Sequence, residues 1–317
     1  ALKRDWPDTF FIAGGGCASS LMKDMLRWIP SLDAICYGEG ENTLIELLDK
    51  SASGELWGEL GEVRGLIFRD DLEKWKKIPS KIRRRKQMTQ QLLKGRSKVE
   101  LIQTQPRPLM FDYTHPIRPD EIPEDLNPGY YRTLDELPYP AWEHFDLDPR
   151  QEKTRFIPGY FVHSSLALSA EALSARRRMD VIAERGCAGR CRFCDHARLG
   201  GDFLHESEWD FYGDFQKGGR IQPFVRFQSP EYVVDMITYM LIHFKIDFIA
   251  FMDETMLLNR PRTLRILELL EERDLIGTFK WGCLARAENV DLELLGKMKQ
   301  ADCTYISFGF ESSDQGQ

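Results

Sequence analysis

The chain has no uninterrupted apolar run of the roughly 18 residues that a membrane-crossing helix requires, so we expect no membrane span. It has no basic excess either. The formal net charge is −7 with 29% charged residues, which gives no broad electrostatic footprint for nucleic acid. The first residues, Ala1 to Trp6, are mixed and charged and open without Met. They carry no secretory pattern, and a cytoplasmic, reducing compartment is the default expectation. Cysteine is too sparse and too uneven for a disulfide framework. There are seven, an odd count, and three crowd into positions 187–194, which favours thiols used as ligands. What is present is 317 residues with 42% apolar content, enough chain for two domains with real cores.

Residues 10–69 read as alternating strand and helix. Phe10–Ala13 is a short apolar run that breaks at Gly14-Gly15-Gly16, followed by a helical stretch with Leu21, Met25 and Trp28 on one face. Ala34–Tyr37 is a second strand candidate ending at Gly38-Glu39-Gly40-Glu41. Asn42 is a candidate cap for the next helix, where Leu44, Leu47 and Leu48 recur at helical spacing, and Gly65–Phe68 returns as a strand. This is the rhythm of a parallel α/β sheet with glycine-rich turns at strand ends. Ten of the 16 prolines then fall between Pro106 and Pro158, so residues 71–155 read as a connector crossing the surface. The basic run Lys81, Arg83, Arg84, Arg85, Lys86 and the trio Arg176–Arg178 read as solvated charge.

From residue 180 the alternation resumes. Val181–Glu184 leads into the cysteine loop. Ser229-Pro230-Glu231 is a cap, a first-turn proline and an acidic residue, opening a helix with Val233, Val234, Ile237, Met240 and Leu241 inward. Ile246–Met252 is a strand ending at Asp253-Glu254. Pro261 starts a helix burying Leu264, Leu267 and Leu270. Phe279–Cys283 is a third strand. Asp291 caps a helix bearing Leu294, Leu295 and Met298, and Thr304–Phe310 is a fourth strand. Four strands with helical connections make half of a β/α barrel, and we expect the chain to be a fragment lacking both ends.

Gly186-Cys187-Ala188-Gly189-Arg190-Cys191-Arg192-Phe193-Cys194 spells C-x3-C-x2-C. Three thiolates on one loop can hold three irons of a cubane cluster and leave the fourth iron open to a small chelating molecule. A zinc site completed by His196 is a rival reading, though so short a span gives poor tetrahedral reach. Unrelated buried cysteines are the bland alternative.

The spacing, with an aromatic before the last cysteine, resembles the radical S-adenosylmethionine superfamily. Nearly the whole chain resembles its subgroup with an N-terminal cobalamin-binding domain. The resemblance implies an α/β protein: a partial Rossmann-like cobalamin-binding domain over residues 1–70, an interdomain connector over 71–155, and a truncated β/α barrel over 156–317. It implies that Cys187, Cys191 and Cys194 ligate a 4Fe-4S cluster and that Phe193 packs near the adenine of S-adenosylmethionine. Asp253-Glu254 would receive the ammonium of that substrate. Arg286 would pair with its carboxylate in the bidentate way guanidinium favours. Glu311-Ser312, within Gly309-Phe310-Glu311-Ser312, is similar to the family's G-I-E-S element and would reach the ribose or the methionyl end.

Ile12-Ala13-Gly14-Gly15-Gly16 followed by Ala18-Ser19 resembles the cobalamin domain's G-G-x-H-x-T turn. Gly38, Glu39, Gly40 and Glu41 resemble its G-E-G-E turn, and Leu134–Trp142 its interdomain string. Cys17 stands where that family often has His, no D-x-H-x-x-G for a lower cobalt ligand occurs, and Ser164–Arg178 departs from the subgroup. The implied activity is a 5′-deoxyadenosyl radical that abstracts hydrogen from an unactivated carbon of a small molecule, followed by methylation from methylcobalamin. The implied partner is a flavodoxin- or ferredoxin-type electron donor. The alternatives are an oxidative cyclase similar to the anaerobic magnesium-protoporphyrin ester cyclase, or a zinc-stapled binding module. An RNA methylthiotransferase would need three more cysteines in its N-terminal domain, which Cys17 and Cys36 cannot supply.

Overall fold

The computed structural model describes residues 2–6, 8–54, 56–71, 94–96, 98–105, 131–145, 174–187 and 225–309. Described residues up to Gln105, with Tyr131, form one compact unit, and those from Arg132 onward form a second.

The first unit opens with a helical turn, α1 (Leu2–Asp5), followed by β1 (Ile12–Ala13), α2 (Gly16–Trp28), β2 (Ala34–Cys36), α3 (Glu41–Ser53), α4 (Leu56–Glu59), β3 (Leu66–Arg69) and β4 (Leu101–Gln103). Its sheet runs β1-β2-β3-β4. The expected parallel rhythm holds for β1 and β2 only, because β3 lies antiparallel to β2, and β4 antiparallel to β3. The chain returns to the edge it left. Tyr37 donates its backbone N–H to the Gly65 carbonyl, and the Thr43 hydroxyl donates to the Arg64 carbonyl at 3.0 Å. So β3 starts beside the end of β2.

Apolar side chains cover both faces of this sheet, with Leu47, Leu56 and Phe68 on one and Leu26, Ile35 and Ile67 on the other. Leu47 alone of the expected leucine stripe is buried, while Leu44 and Leu48 are exposed. In α2, which is kinked at Met22, Leu26 is buried and Trp28 exposed. Asn42 does not cap α3, which starts at Glu41 behind Gly40. Its amide instead forms a reciprocal pair with the Tyr131 backbone, both bonds at 2.8 Å. Asp33, fully buried just before β2, accepts from Lys3 at 2.6 Å, from Arg96 at 2.8 Å and from the Phe11 N–H at 2.7 Å. A buried carboxylate needs this many partners, and here they tie the chain start and residue 96 to the sheet.

The second unit contains β5 (Arg178–Val181), β6 (Glu184–Arg185), β7 (Arg226–Phe227), α5 (Pro230–Phe244), β8 (Phe248–Phe251), α6 (Arg260–Glu272), β9 (Lys280–Ala285), α7 (Leu292–Gln300) and β10 (Cys303–Phe308). Its main sheet is parallel throughout, in the order β10-β9-β8-β5. The helix starts follow the expected chemistry. Ser229 accepts from the Tyr232 N–H at 3.1 Å, Asp291 from the Leu294 N–H at 2.8 Å, and Pro261 sits in the first turn of α6. Helices α5, α6 and α7 pack on one face of the sheet, burying Val234, Ile237, Ile266, Leu270, Leu294 and Met298 against Phe251 and Trp281.

Three expectations change here. The first strand lies at Arg178–Val181, ahead of the expected Val181–Glu184. Glu184–Arg185 pairs instead with β7 in a separate antiparallel ladder. Arg178, read as solvated charge, is buried at the head of β5, whereas Arg176 is exposed. Described parts of the connector, residues 98–105 and 131–145, are built into the two units. Leu101–Gln103 adds a strand to the first sheet, and Leu134 and Trp142 are buried in the second unit. The run Lys81 to Lys86 lies outside the described residues.

Candidate functional site

The parallel sheet of the second unit gathers its loops at one edge. β5 and the short β6 lead through Gly186 to Cys187, β8 leads to Asp253-Glu254, β9 to Arg286, and β10 to Gly309. Because β5, β8, β9 and β10 all run the same way, these residues leave the carboxyl ends of neighbouring strands, where sheets of this class place their sites. Gly186 is buried with φ of 95°, a backbone state that a side chain would strain. It turns the chain so that Cys187, half-buried, begins the thiol loop. Cys191, Cys194, Phe193, Glu311 and Ser312 lie outside the described residues.

Asp253 and Glu254 are neighbours in sequence with different surroundings. Asp253 is 1% exposed, and its Oδ1 accepts from the backbone N–H groups of Ala183 at 2.6 Å and Glu184 at 2.5 Å. Glu254 is half-buried. The Glu254 carboxylate is not freely open either, since its Oε2 is buried. Arg286 is partly exposed, with Nε on Glu288 Oε1 at 2.6 Å, so carboxylate pairing there would exchange one carboxylate for another.

Sequence reasoning missed the buried polar group beneath this edge. Glu184, 3% exposed, accepts at Oε1 from the Thr255 N–H at 2.7 Å and the Thr255 hydroxyl at 3.2 Å. Arg262 reaches in from α6, donating to the Gln228 carbonyl at 2.7 Å and the Ala183 carbonyl at 2.9 Å, with its guanidinium 5.2 Å from the centre of the Phe227 ring. Glu184 Oε2 and Asp253 Oδ2 have no hydrogen-bond partner among the described residues. Burial first, then the charge of Asp253, pushes the Glu184 carboxyl up to about 8. Burial likewise raises Asp253 to about 6, against the opposing pull of Arg262. The signal available in the sequence was charge out of place: a glutamate where β5 was expected to finish and an arginine in the first turn of an amphipathic helix.

The first unit brings its two glycine turns together at the carboxyl ends of the parallel strands β1 and β2. Gly15 precedes α2 with φ of 87°, and Gly38 has φ of 73°. A Cβ at either would meet no atom within 4 Å, so bare backbone is open to a ligand there. The Gly38 N–H donates to Ser19 Oγ at 3.1 Å, linking the turns. Cys36 lies between them, 3.7 Å from the place a Gly14 Cβ would take and 3.3 Å from that of Gly40. Gly16 is the first residue of α2 and Glu41 of α3, while Glu39 is half-buried between Gly38 and Gly40. Cys17 is exposed at the start of α2.

Residues 181–316 match the family model described as the radical SAM superfamily. The chain is 22% identical over 306 residues to an uncharacterized methyltransferase of Pyrococcus horikoshii, covering 96% of this chain and 46% of that protein. It is also 22% identical over 317 residues to the cytidylyl-2-hydroxyethylphosphonate methyltransferase of Streptomyces wedmorensis, covering 98% of this chain and 46% of that protein. The fold resembles that of the radical S-adenosylmethionine methyltransferase TsrM from Kitasatospora setae, solved with cobalamin and a 4Fe-4S cluster bound. The TM-score is 0.54 at 13% identity, over 95% of this chain and 42% of that one. A second structure of that enzyme, with tryptophan and a S-adenosylmethionine analogue, gives 0.52 at 12% identity, over 96% and 42%. The chain spans a little under half the length of these relatives. Among the described residues no helix is long and apolar enough to cross a membrane.

Proposed function

We propose that this protein, whose residues 181–316 belong to the radical S-adenosylmethionine superfamily, is a cobalamin-dependent methyltransferase acting on an unactivated carbon of a small molecule. The observation that carries the reading is the cysteine triplet, whose first member, Cys187, stands at the same sheet edge as Glu254 and Arg286. Three thiolates suit an iron–sulfur cluster with one open iron, so Cys187, Cys191 and Cys194 would hold it. Two adjoining bare-backbone turns suit a flat, nucleotide-bearing ligand, so Gly14–Gly16 and Gly38–Glu41 would hold cobalamin. When bound, the cluster supplies the electron that splits a carbon–sulfur bond of S-adenosylmethionine, and cobalamin supplies a methyl group.

The chain's own residues bind and orient. Glu254 receives the ammonium of S-adenosylmethionine, Arg286 turns from Glu288 to its carboxylate, and Phe193, Glu311 and Ser312 complete the contacts. Asp253 is withdrawn from substrate and holds the backbone ahead of Cys187. The division that accompanies this reading gives residues 1–70 to cobalamin, 71–155 to a connector and 156–317 to the barrel, with Leu101–Gln103 of the connector joined to the first unit and residues 132–145 to the second. A flavodoxin- or ferredoxin-type protein would deliver the electron. Both curated relatives are methyltransferases by name, which favours methyl transfer over oxidative cyclisation.

The test is anaerobic reconstitution with iron and sulfide, followed by assay for 5′-deoxyadenosine with S-adenosylmethionine and a reductant. We expect about four irons per chain, 5′-deoxyadenosine from the wild type, and neither from the variant with Cys187, Cys191 and Cys194 all changed to Ala. A cluster-free, zinc-loaded protein that forms no 5′-deoxyadenosine would sink the reading. Cobalamin binding is followed separately by its visible absorption, which Gly15→Val together with Gly38→Val should abolish.

A further inference from the structure

We propose that Glu184 and Asp253 are positioning residues that lock the segment leading to Cys187 in register with the loop that carries Glu254. The proposal rests on the reading above, in which those two loops hold the cluster and S-adenosylmethionine.

The two carboxylates are exchanged between the loops. The segment after β5 gives its Ala183 and Glu184 N–H groups to Asp253, and the loop after β8 gives the Thr255 N–H and hydroxyl to Glu184. Each loop thus supplies the acceptor for the other, across about 70 residues of sequence. A second fixture holds the same segment from α6, where Arg262 donates to the Ala183 carbonyl and to the Gln228 carbonyl beside β7. The β6–β7 ladder is a third, with Glu184 opposite Phe227. Ala183 and Glu184 are therefore held on three sides, four and three residues before the first thiol.

Stability alone does not account for the choice of residues. Two buried acids beside one another cost desolvation and mutual repulsion, and well-packed apolar side chains of similar volume generally do as well or better. What an apolar pair cannot do is fix a backbone segment to within a hydrogen-bond length from another loop. A cluster and its chelated substrate need that control, since a displacement of about 1 Å can cost a hundredfold in rate.

The test compares the wild type with Glu184→Gln, Glu184→Ala and Glu184→Asp, each as the full chain. The first readout needs no cluster: limited tryptic cleavage after Arg185, next to the fixed segment. The second is the electron paramagnetic resonance spectrum of the reduced cluster, titrated with S-adenosylmethionine. Glu184→Gln keeps the oxygen that accepts from Thr255 and should match the wild type in both. Glu184→Ala should be cleaved about tenfold faster and need about tenfold more S-adenosylmethionine for the same spectral change, the equivalent of one lost buried hydrogen bond. Should Glu184→Ala fail to fold, Glu184→Asp carries the same comparison, because it keeps the carboxyl group and loses the reach. Cleavage and titration unchanged in Ala and Asp, or equally impaired in Gln, would overturn the proposal. A wild type that takes up no cluster would instead remove the functional reading, and the cleavage comparison would still decide the positioning role.

Discussion

Glu184 is placed where its charge is least welcome. Its own neighbours are Asp253 from the loop after β8, Arg262 from α6 and Thr255, and its negative charge, with that of Asp253, in turn adds to the upward shift of the Cys283 thiol on β9. For that thiol the hydrogen bond with Cys303 is the first cause and burial the second. A carboxyl whose folded value, about 8, lies above its ordinary 4.5 binds its proton more tightly when folded. The stability this gives is complete below 4.5 and is lost as pH rises through about 8. Asp253 adds a loss of the same sign between 3.8 and about 6. Between pH 6 and 8 the wild type should therefore lose stability with rising pH, at a rate bounded by about 1.4 kcal/mol per unit for one group. Glu184→Gln carries no titrating proton there. Its urea-unfolding free energy should be nearly flat over the same interval and exceed the wild type's at pH 8. A slope as steep in Gln as in the wild type would locate the titration elsewhere.

At the scale of elements, β9 and β10 meet with unusual closeness at Gly282. A Cβ there would lie 2.9 Å from the Tyr305 carbonyl oxygen and 3.1 Å from the Tyr305 Cβ. The obstacle is backbone, so it cannot swing aside. Gly282→Ala should cost about 1–3 kcal/mol by overpacking, measured by urea unfolding, and the shift should fall on the denaturant midpoint with an unchanged slope.

How much of these elements was legible follows from the range of the forces that make them. The starts of α5 and α7 were readable because Ser229 and Asp291 act on N–H groups three residues away. So were three of the four parallel strands, β8, β9 and β10, whose apolar runs are long enough to stand out, whereas β5 lies ahead of its expected place. The direction of β3, the existence of β7 and the burial of Arg178 were not legible, since each is decided by a partner far along the chain. Asn42 shows the limit plainly: it has a capping side chain at a helix start, yet Tyr131, 89 residues on, takes both of its hydrogen bonds. The site divides in the same way. Cys187, Gly186 and the glycine turns announce themselves by local spacing, whereas Glu184, Thr255 and Arg262 become a group only when β5, β8 and α6 are brought together.

For the whole molecule, the informative stretch is the one read as a connector. Residues 132–145 are integral to the second unit: Leu134 and Trp142 are buried there. The indole packs 6.0 Å from the Phe244 ring and 6.4 Å from that of Tyr239. Asp135 accepts the Ser229 N–H at 2.9 Å just ahead of α5, and the Tyr232 hydroxyl donates to the Leu137 carbonyl at 3.0 Å. Tyr131, one residue before this stretch, is bonded to Asn42 in the first unit. Among the described residues of this stretch, the change of allegiance thus falls between Tyr131 and Arg132. Removing a buried indole costs about 3–5 kcal/mol, and that cost should be felt by the core that held it. Hydrogen exchange of Trp142→Ala should accordingly show β5, β8 and α5 losing protection while β2 and β3 keep theirs. Equal loss in both sets of strands would mean that the chain unfolds as one cooperative body.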